Sequence, residues 1–206
     1  GDCCPGGSEL LFGSGRGGEC ASLRAHDIGA GTSTMVDAQP GDITGAEYSK
    51  GGKYLVVYVN EDSHFAARVL DASSLKPVSL PGMPTGLVRG VSISNDDSSI
   101  AFYASDGSAP SDLYAAAIGA PQQRLTDALN QKIRRADLVV PKVARFKSYD
   151  GVEVPGVLYL PHQASGARKA PGLVLVHGGP GGQAQVGYSA LTQALVNHGY
   201  VVFDIN

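Results

Sequence analysis

The stretch best suited to chemistry is His177-Gly178-Gly179-Pro180-Gly181-Gly182-Gln183. Glycines at this density let a ligand approach the main chain, because they carry no side chain and reach positive φ freely. Backbone N–H groups presented this way are rigid, neutral donors. They suit an oxygen that becomes negative in a transition state, as in acyl transfer. The same run fits a second chemistry. Gly179 to Ala184 matches G-x-G-x-x-A, and Asp204 follows roughly 20 residues on, as in a dinucleotide-binding fingerprint. Against that reading, Gly187 delays the helix, His177 has no role, and a hairpin comes first. A glycine turn with no chemistry is the third reading.

No G-x-S-x-G nucleophile elbow occurs. Gly187-Tyr188-Ser189-Ala190-Leu191 comes nearest, but it lacks the final glycine and lies where a helix should start. Ser189 reads as an N-cap. His162 reads as a loop residue, and His198 as a helix C-terminal one that opposes the dipole favourably.

The elements around the glycine run form a βαβ unit. Leu173 to Val176 is a continuous apolar run, as in a parallel strand covered on both faces. A helix is predicted from about Tyr188 to His198, with Leu191, Ala194, Leu195 and His198 on one face. Gly199 is placed to close it in a left-handed cap. Tyr200 to Ile205 is the second strand. The glycine run falls beyond the carboxyl end of the first strand, where open α/β sheets gather their ligands. Upstream, Val143 to Tyr149 and Val152 to Leu160 predict a hairpin turning at Asp150-Gly151. Thr126 to Lys142 shows no strand alternation, and Lys132, Arg134 and Arg135 read as the solvated face of a connection.

Residues 1–128 contain a repeat with a 45-residue offset. Ser49 falls on Ser94, Leu55 on Ile100, Val57 on Phe102 and Tyr58 on Tyr103. One period earlier, Gly7 meets Gly52, Leu10 meets Leu55 and Phe12 meets Val57. Further strands are expected at Phe65 to Leu70 and Asp112 to Ile118. Four short strands in about 40–45 residues is the signature of a β-propeller blade. About two blades and part of a third do not close a ring, and a parallel pair does not stand alone. The chain is therefore expected to be a piece of a longer protein, cut at both ends.

The 206 residues are 43% hydrophobic and 17% charged, with net charge −3. Nothing suggests a nucleic-acid partner or a membrane surface, and no apolar run approaches a transmembrane span. A soluble chain is expected. Cys3, Cys4 and Cys20 form no CxxC pair, and no histidine lies at ligand spacing beside them. Free thiols are expected, with a Cys20 bridge to Cys3 or Cys4 as the alternative. No metal or cofactor is expected.

Taken together, repeat and loop resemble the prolyl oligopeptidase family of serine peptidases (S9), and within it the acylaminoacyl-peptidase-like subgroup. Val143 to Gly151 is similar to that family's first hydrolase strand, and Val154 to Pro161 to its next. His177 to Gln183 resembles its HGGPxxQ loop, and Tyr200 to Asn206 a later strand. The resemblance implies a partial β-propeller (1–128), a linker (129–142) and the N-terminal portion of an α/β-hydrolase domain (143–206). It implies Gly179 as an oxyanion-hole N–H, Gly178 and Pro180 as shapers of the loop, and His177 as its buttress. It implies a Ser, Asp and His triad lying beyond Asn206, in that order, since Asp150, His162, His198 and Asp204 come too early. The expected substrates are short or N-terminally blocked peptides. An esterase or amidase on the same scaffold and a non-catalytic propeller module are the other readings.

Overall fold

The 45-residue period appears first in three backbone turns. The Cys4 N–H donates to Glu9 O at 3.1 Å, that of Ser49 to Tyr54 O at 2.8 Å, and that of Ser94 to Ser99 O at 2.9 Å. Inside each turn the N–H of Gly7, Gly52 or Asp97 donates back to the carbonyl of the turn's first residue. These three residues all have positive φ, at 67°, 79° and 56°. The leading side chain repeats as well. Cys4 Sγ, Ser49 Oγ and Ser94 Oγ accept the N–H of Glu9, Tyr54 and Ser99. Cys4 thus occupies a serine's place in the first repeat. Cys4 and Cys20 are free thiols. The computed structural model describes residues 4, 6–15, 20–37, 40–179 and 181–206, so Cys3 and Pro180 lie outside the described residues.

Each turn leads directly into a strand of its repeat. The first sheet holds β1 (Glu9–Ser14), β2 (Ser22–Asp27) and β3 (Thr32–Asp37), antiparallel and in that order. Next come β4 (Asp42–Tyr48), β5 (Tyr54–Glu61) and β6 (His64–Asp71), with a Leu70–Pro77 bridge as a rudimentary fourth strand. The third repeat holds β7 (Leu87–Ile93), β8 (Ser99–Ser105), β9 (Asp112–Ala117) and β10 (Gln123–Arg124). One parallel pair, Phe65 with Leu87, links the second and third groups.

The run from Tyr54 to Val59 is apolar without alternation because its two faces enter two cores. Tyr54 and Val56 pack with Val69, Val88, Ile100 and Phe102. Leu55, Val57 and Val59 pack with Leu11, Leu23 and Ile43. Face-to-face stacking of this kind is what blade-like repeats need to bury their surfaces.

Neighbouring repeats also meet at their turns. The Asp97 carboxylate is buried against Gly51 and accepts the Lys53 N–H at 3.3 Å. A Cβ on Gly51 would overlap that carboxylate. Gly51→Ala is therefore expected to destabilise the protein by about 1–3 kcal/mol, as overpacking does. A urea titration should show a lower midpoint and a broader transition, because a weakened junction uncouples the two units that meet there.

The β5–β6 hairpin turns on two residues, Asp62 (φ 56°) and Ser63 (φ 68°). This is a type I′ arrangement, which favours asparagine and glycine. Left-handed backbone costs an ordinary residue about 1–2 kcal/mol. Ser63 is nonetheless fully buried.

The remaining sheet has the order β11-β12-β14-β13. Its strands are β11 (Lys142–Lys147), β12 (Glu153–Tyr159), β13 (Gly172–Val176) and β14 (Val201–Ile205). Strands β13 and β14 are parallel, and β12 runs antiparallel to β14. The β11–β12 hairpin turns through Asp150-Gly151, with Gly151 at φ 85°. Between β13 and β14 lies α1 (Ala190–Asn197). Ser189 is its N-cap, its Oγ accepting the Thr192 N–H at 3.2 Å. Gly199, at φ 95°, donates to Val196 O, and Tyr200 donates to Leu195 O, which closes a Schellman cap.

The predicted buried face of this helix is corrected. Leu191 is 69% exposed, while Thr192, Gln193 and Val196 are buried. The reason is polar. The Gln193 amide accepts the Val139 N–H at 3.0 Å and donates to Val139 O at 2.8 Å and to Gly107 O at 3.2 Å. Apolar periodicity does not register a glutamine whose hydrogen bonds are met by backbone.

The stretch from Thr126 to Pro141 has no strand, only a 3₁₀ turn at Arg135–Asp137, and β11 takes up Lys142. Its two arginines are paired nearby, Arg134 with Asp137 and Arg135 with Asp127. Among the described residues, no helix is long and apolar enough to cross a membrane.

Candidate functional site

The glycine run leaves the carboxyl end of β13, as the sequence predicts. Gly178 and Gly179 are exposed, and His177 is half-buried. Among the described residues, no backbone acceptor meets the N–H of Gly179. Gly179 stands at φ 140°, and a Cβ there would come within 2.7 Å of Gly182 N and 2.8 Å of Gly181 N. The loop is thus wound so tightly that its own amides leave no room for a side chain. Gly182 is equally constrained, because a Cβ on it would overlap Gly178 O and the His177 ring. His177 Nδ1 lies 3.1 Å from Gly178 O, and the Nδ1–H tautomer donates there. The imidazole therefore braces the first peptide of the turn.

The loop's exit limb is anchored outside its own sheet. Gln183 Oε1 accepts from Asn60 Nδ2 at 2.7 Å, and Gln183 Nε2 donates to Asn60 Oδ1 at 3.4 Å. Ala184 N–H donates to Asn206 Oδ1, and Asn206 Nδ2 donates to Ser63 Oγ at 3.1 Å. Val186 N–H donates to Ser63 O at 2.8 Å. The hairpin tip makes an ion pair too, Asp62 with Arg145 of β11. Left-handed Asp62 and Ser63 are therefore held by contacts that a glycine side chain could not make.

Asp204 lies opposite Leu175 in the β13–β14 register. Burial pushes its carboxyl up from the ordinary value, and the nearby His177 charge pulls the other way. A carboxyl raised by folding holds its proton more tightly in the native state. Stability is then unaffected below the unfolded value of ~3.9 and falls as pH rises above it, until the folded carboxyl ionises. Asp204→Asn is expected to melt higher than the parent protein at pH 7 and to match it near ~3.5, below the unfolded value. Scanning fluorimetry at the two pH values checks this. Tyr159 is pushed up to about 12 by burial, and its hydroxyl donates to Gly187 O at 3.2 Å.

The other singled-out residues have local roles. Asp150 Oδ1 accepts the Val152 N–H inside the hairpin turn. His198 Nδ1 meets Ala194 O at the end of α1, and His162 is exposed on a loop. The dinucleotide reading needs a helix that starts within the glycines. Here α1 starts at Ala190 and is capped by Ser189, several residues past Ala184. Among the described residues, no group of three or more His, Cys, Asp or Glu side chains could hold a metal ion. Sequence reasoning gave no role of their own to Asn60, Ser63, Gly182 and Asn206. Only Gly182 carried a signal, as the second of a glycine pair.

No protein-family model matches the chain. Peptidase YuxL of Bacillus subtilis (strain 168) is 29% identical over 119 residues, which is 58% of this chain and 18% of that protein. Among solved structures, puromycin hydrolase superposes with a TM-score of 0.83 at 17% identity, covering 99% of this chain and 32% of its own. A prolyl endopeptidase superposes with a TM-score of 0.77 at 15% identity, covering 97% and 30%. The chain spans less than a fifth of its curated relative and about a third of these structures. Over that third, it has the fold of peptidases of the prolyl oligopeptidase (S9) family, the family its sequence resembles.

Proposed function

We propose that the protein carrying this chain is a serine-type peptidase of short or N-terminally blocked peptides, working through an acyl-enzyme. In this reading residues 1–128 are propeller blades, 129–142 a linker, and 143–206 the start of an α/β-hydrolase domain. The glycine loop supplies one donor of the oxyanion hole, the Gly179 N–H. Gly178 shapes the loop and His177 braces it. The nucleophile, its base and the orienting acid come from outside residues 1–206.

One observation carries the proposal. Among the described residues, the Gly179 N–H meets no acceptor, on a tightly wound loop at the carboxyl end of a parallel strand. A donor fixed before reaction costs no reorganisation in the transition state, which is why such groups are worth ~3–4 kcal/mol each. The fold likeness to peptidases supports the same chemistry.

The test uses the complete protein with a peptide p-nitroanilide, the matching p-nitrophenyl ester and a serine-directed phosphonate. Turnover of the anilide and covalent labelling by the phosphonate are expected, while residues 1–206 alone stay inert. Ester turnover without anilide turnover would make the protein an esterase. An intact elbow that the phosphonate leaves unlabelled would make the scaffold non-catalytic.

A further inference from the structure

The loop from Gly178 to Gly182 has no side chain among its described residues with which to hold itself. Its upstream end is fixed by β13. Its downstream end is fixed at Gln183, Ala184 and Val186, and every one of those fixings leads to the β5–β6 hairpin of the second repeat. Asn60 grips the Gln183 side chain through two amide contacts. Ser63 grips Val186 through its carbonyl and reaches Ala184 through the Asn206 amide. Ala184, Val186 and Ser63 are all buried, so water does not compete for these contacts. We propose that Asn60 and Ser63 are positioning residues for the glycine loop, so that the repeat domain sets where the Gly179 N–H points. This rests on the peptidase reading only for its consequence in catalysis; the mechanical coupling stands apart from it.

The two amides must be complementary. Asn60 donates to the Gln183 carbonyl and accepts from its NH2 group, so the pair is neutral and fixes the rotation of both side chains. Losing it frees the exit limb to shift, and a displacement near 1 Å in a positioning element can cost up to ~100-fold in rate.

The experiment compares Asn60→Ala, Gln183→Ala, the double alanine variant and the swap Asn60→Gln with Gln183→Asn, all in the complete protein. Each single variant is expected to lower kcat for the peptide p-nitroanilide by about 10- to 100-fold, with KM within twofold. The double variant should be no worse than either single one, because the two residues act as one unit. The swap keeps both amides and the summed length, and it should recover most of kcat. A thermal melt of each variant separates a general loss of folding from a local shift of the loop. Hydrogen exchange of the segment 177–187 gives a readout independent of activity, and it should rise in both single variants and return in the swap. Unchanged exchange, or kcat unchanged in an active enzyme, overturns the proposal. Raised exchange in a protein that cleaves no peptide and ignores the phosphonate leaves the coupling standing and removes the peptidase reading instead.

Discussion

Replacing Gly179 with alanine should lower kcat of the complete protein by about 100- to 1,000-fold, the size of effect that follows loss of one oxyanion-hole donor. Two independent constraints produce this. At φ 140° an L side chain is strained wherever it points, and a Cβ would also press on the amides of Gly181 and Gly182. Those amides belong to the same backbone that must aim the donor, so relief of the clash rotates the Gly179 N–H away. The loop is exposed, and little core packing depends on it. The melting temperature should therefore stay within a few degrees, and KM should change little, because in the proposed role the donor acts on a charge that exists only in the transition state. Steady-state kinetics with a peptide p-nitroanilide and a thermal melt check both halves. A kcat within threefold of the parent would remove Gly179 from the oxyanion hole.

The largest effect on stability is expected at Gln193. Gln193→Leu keeps roughly the same volume but deletes one acceptor and two donors. Val139 N–H, Val139 O and Gly107 O are then left without their partner inside a buried contact. Each buried backbone group left unpaired costs ~1–3 kcal/mol, so a total loss of about 3–5 kcal/mol is expected after partial relaxation. Gln193→Glu separates hydrogen bonding from shape. Its carboxylate can accept from Val139 N–H but donates to neither carbonyl, and burial of the charge adds a penalty. It should be at least as damaging at pH 7. Urea unfolding of both variants measures the effect, and a loss under 1 kcal/mol for Gln193→Leu would mean the three backbone groups find other partners.

Much of the architecture was legible because it rests on local rules. The turns at Gly52, Gly151 and Gly199 follow from positive φ, the Ser189 cap from an orphan N–H, and the strands around Leu55 and Ile100 from repetition. The buried face of α1 was not legible, since periodicity ranks residues by hydropathy and Gln193 is buried by virtue of its hydrogen bonds. Nor was the anchoring of the glycine loop. Asn60 and Gln183 stand 123 residues apart, and neither carries a local signature that names its partner. Position within a turn was informative only where the residue type was conventional. Cys4 was read as a free thiol and not as a turn residue, because its thiol does a hydroxyl's work there.

The repeated turns also govern how damage spreads. A row of similar units, each touching only its neighbours, behaves as a one-dimensional chain of coupled elements, with a stability per unit and a coupling per junction. Asp97 against Gly51 is one such junction. A lesion there weakens two adjacent units and the coupling between them, while the first sheet feels it through the second unit, by the odd-numbered residues of β5, by Ile43 of β4 and by the Arg68–Asp37 ion pair. Unfolding of the repeat region should then broaden into stages rather than shift as a whole. Because the second unit carries the hairpin that grips the glycine loop, fraying that begins in a remote turn would reach the loop well before the sheets themselves come apart.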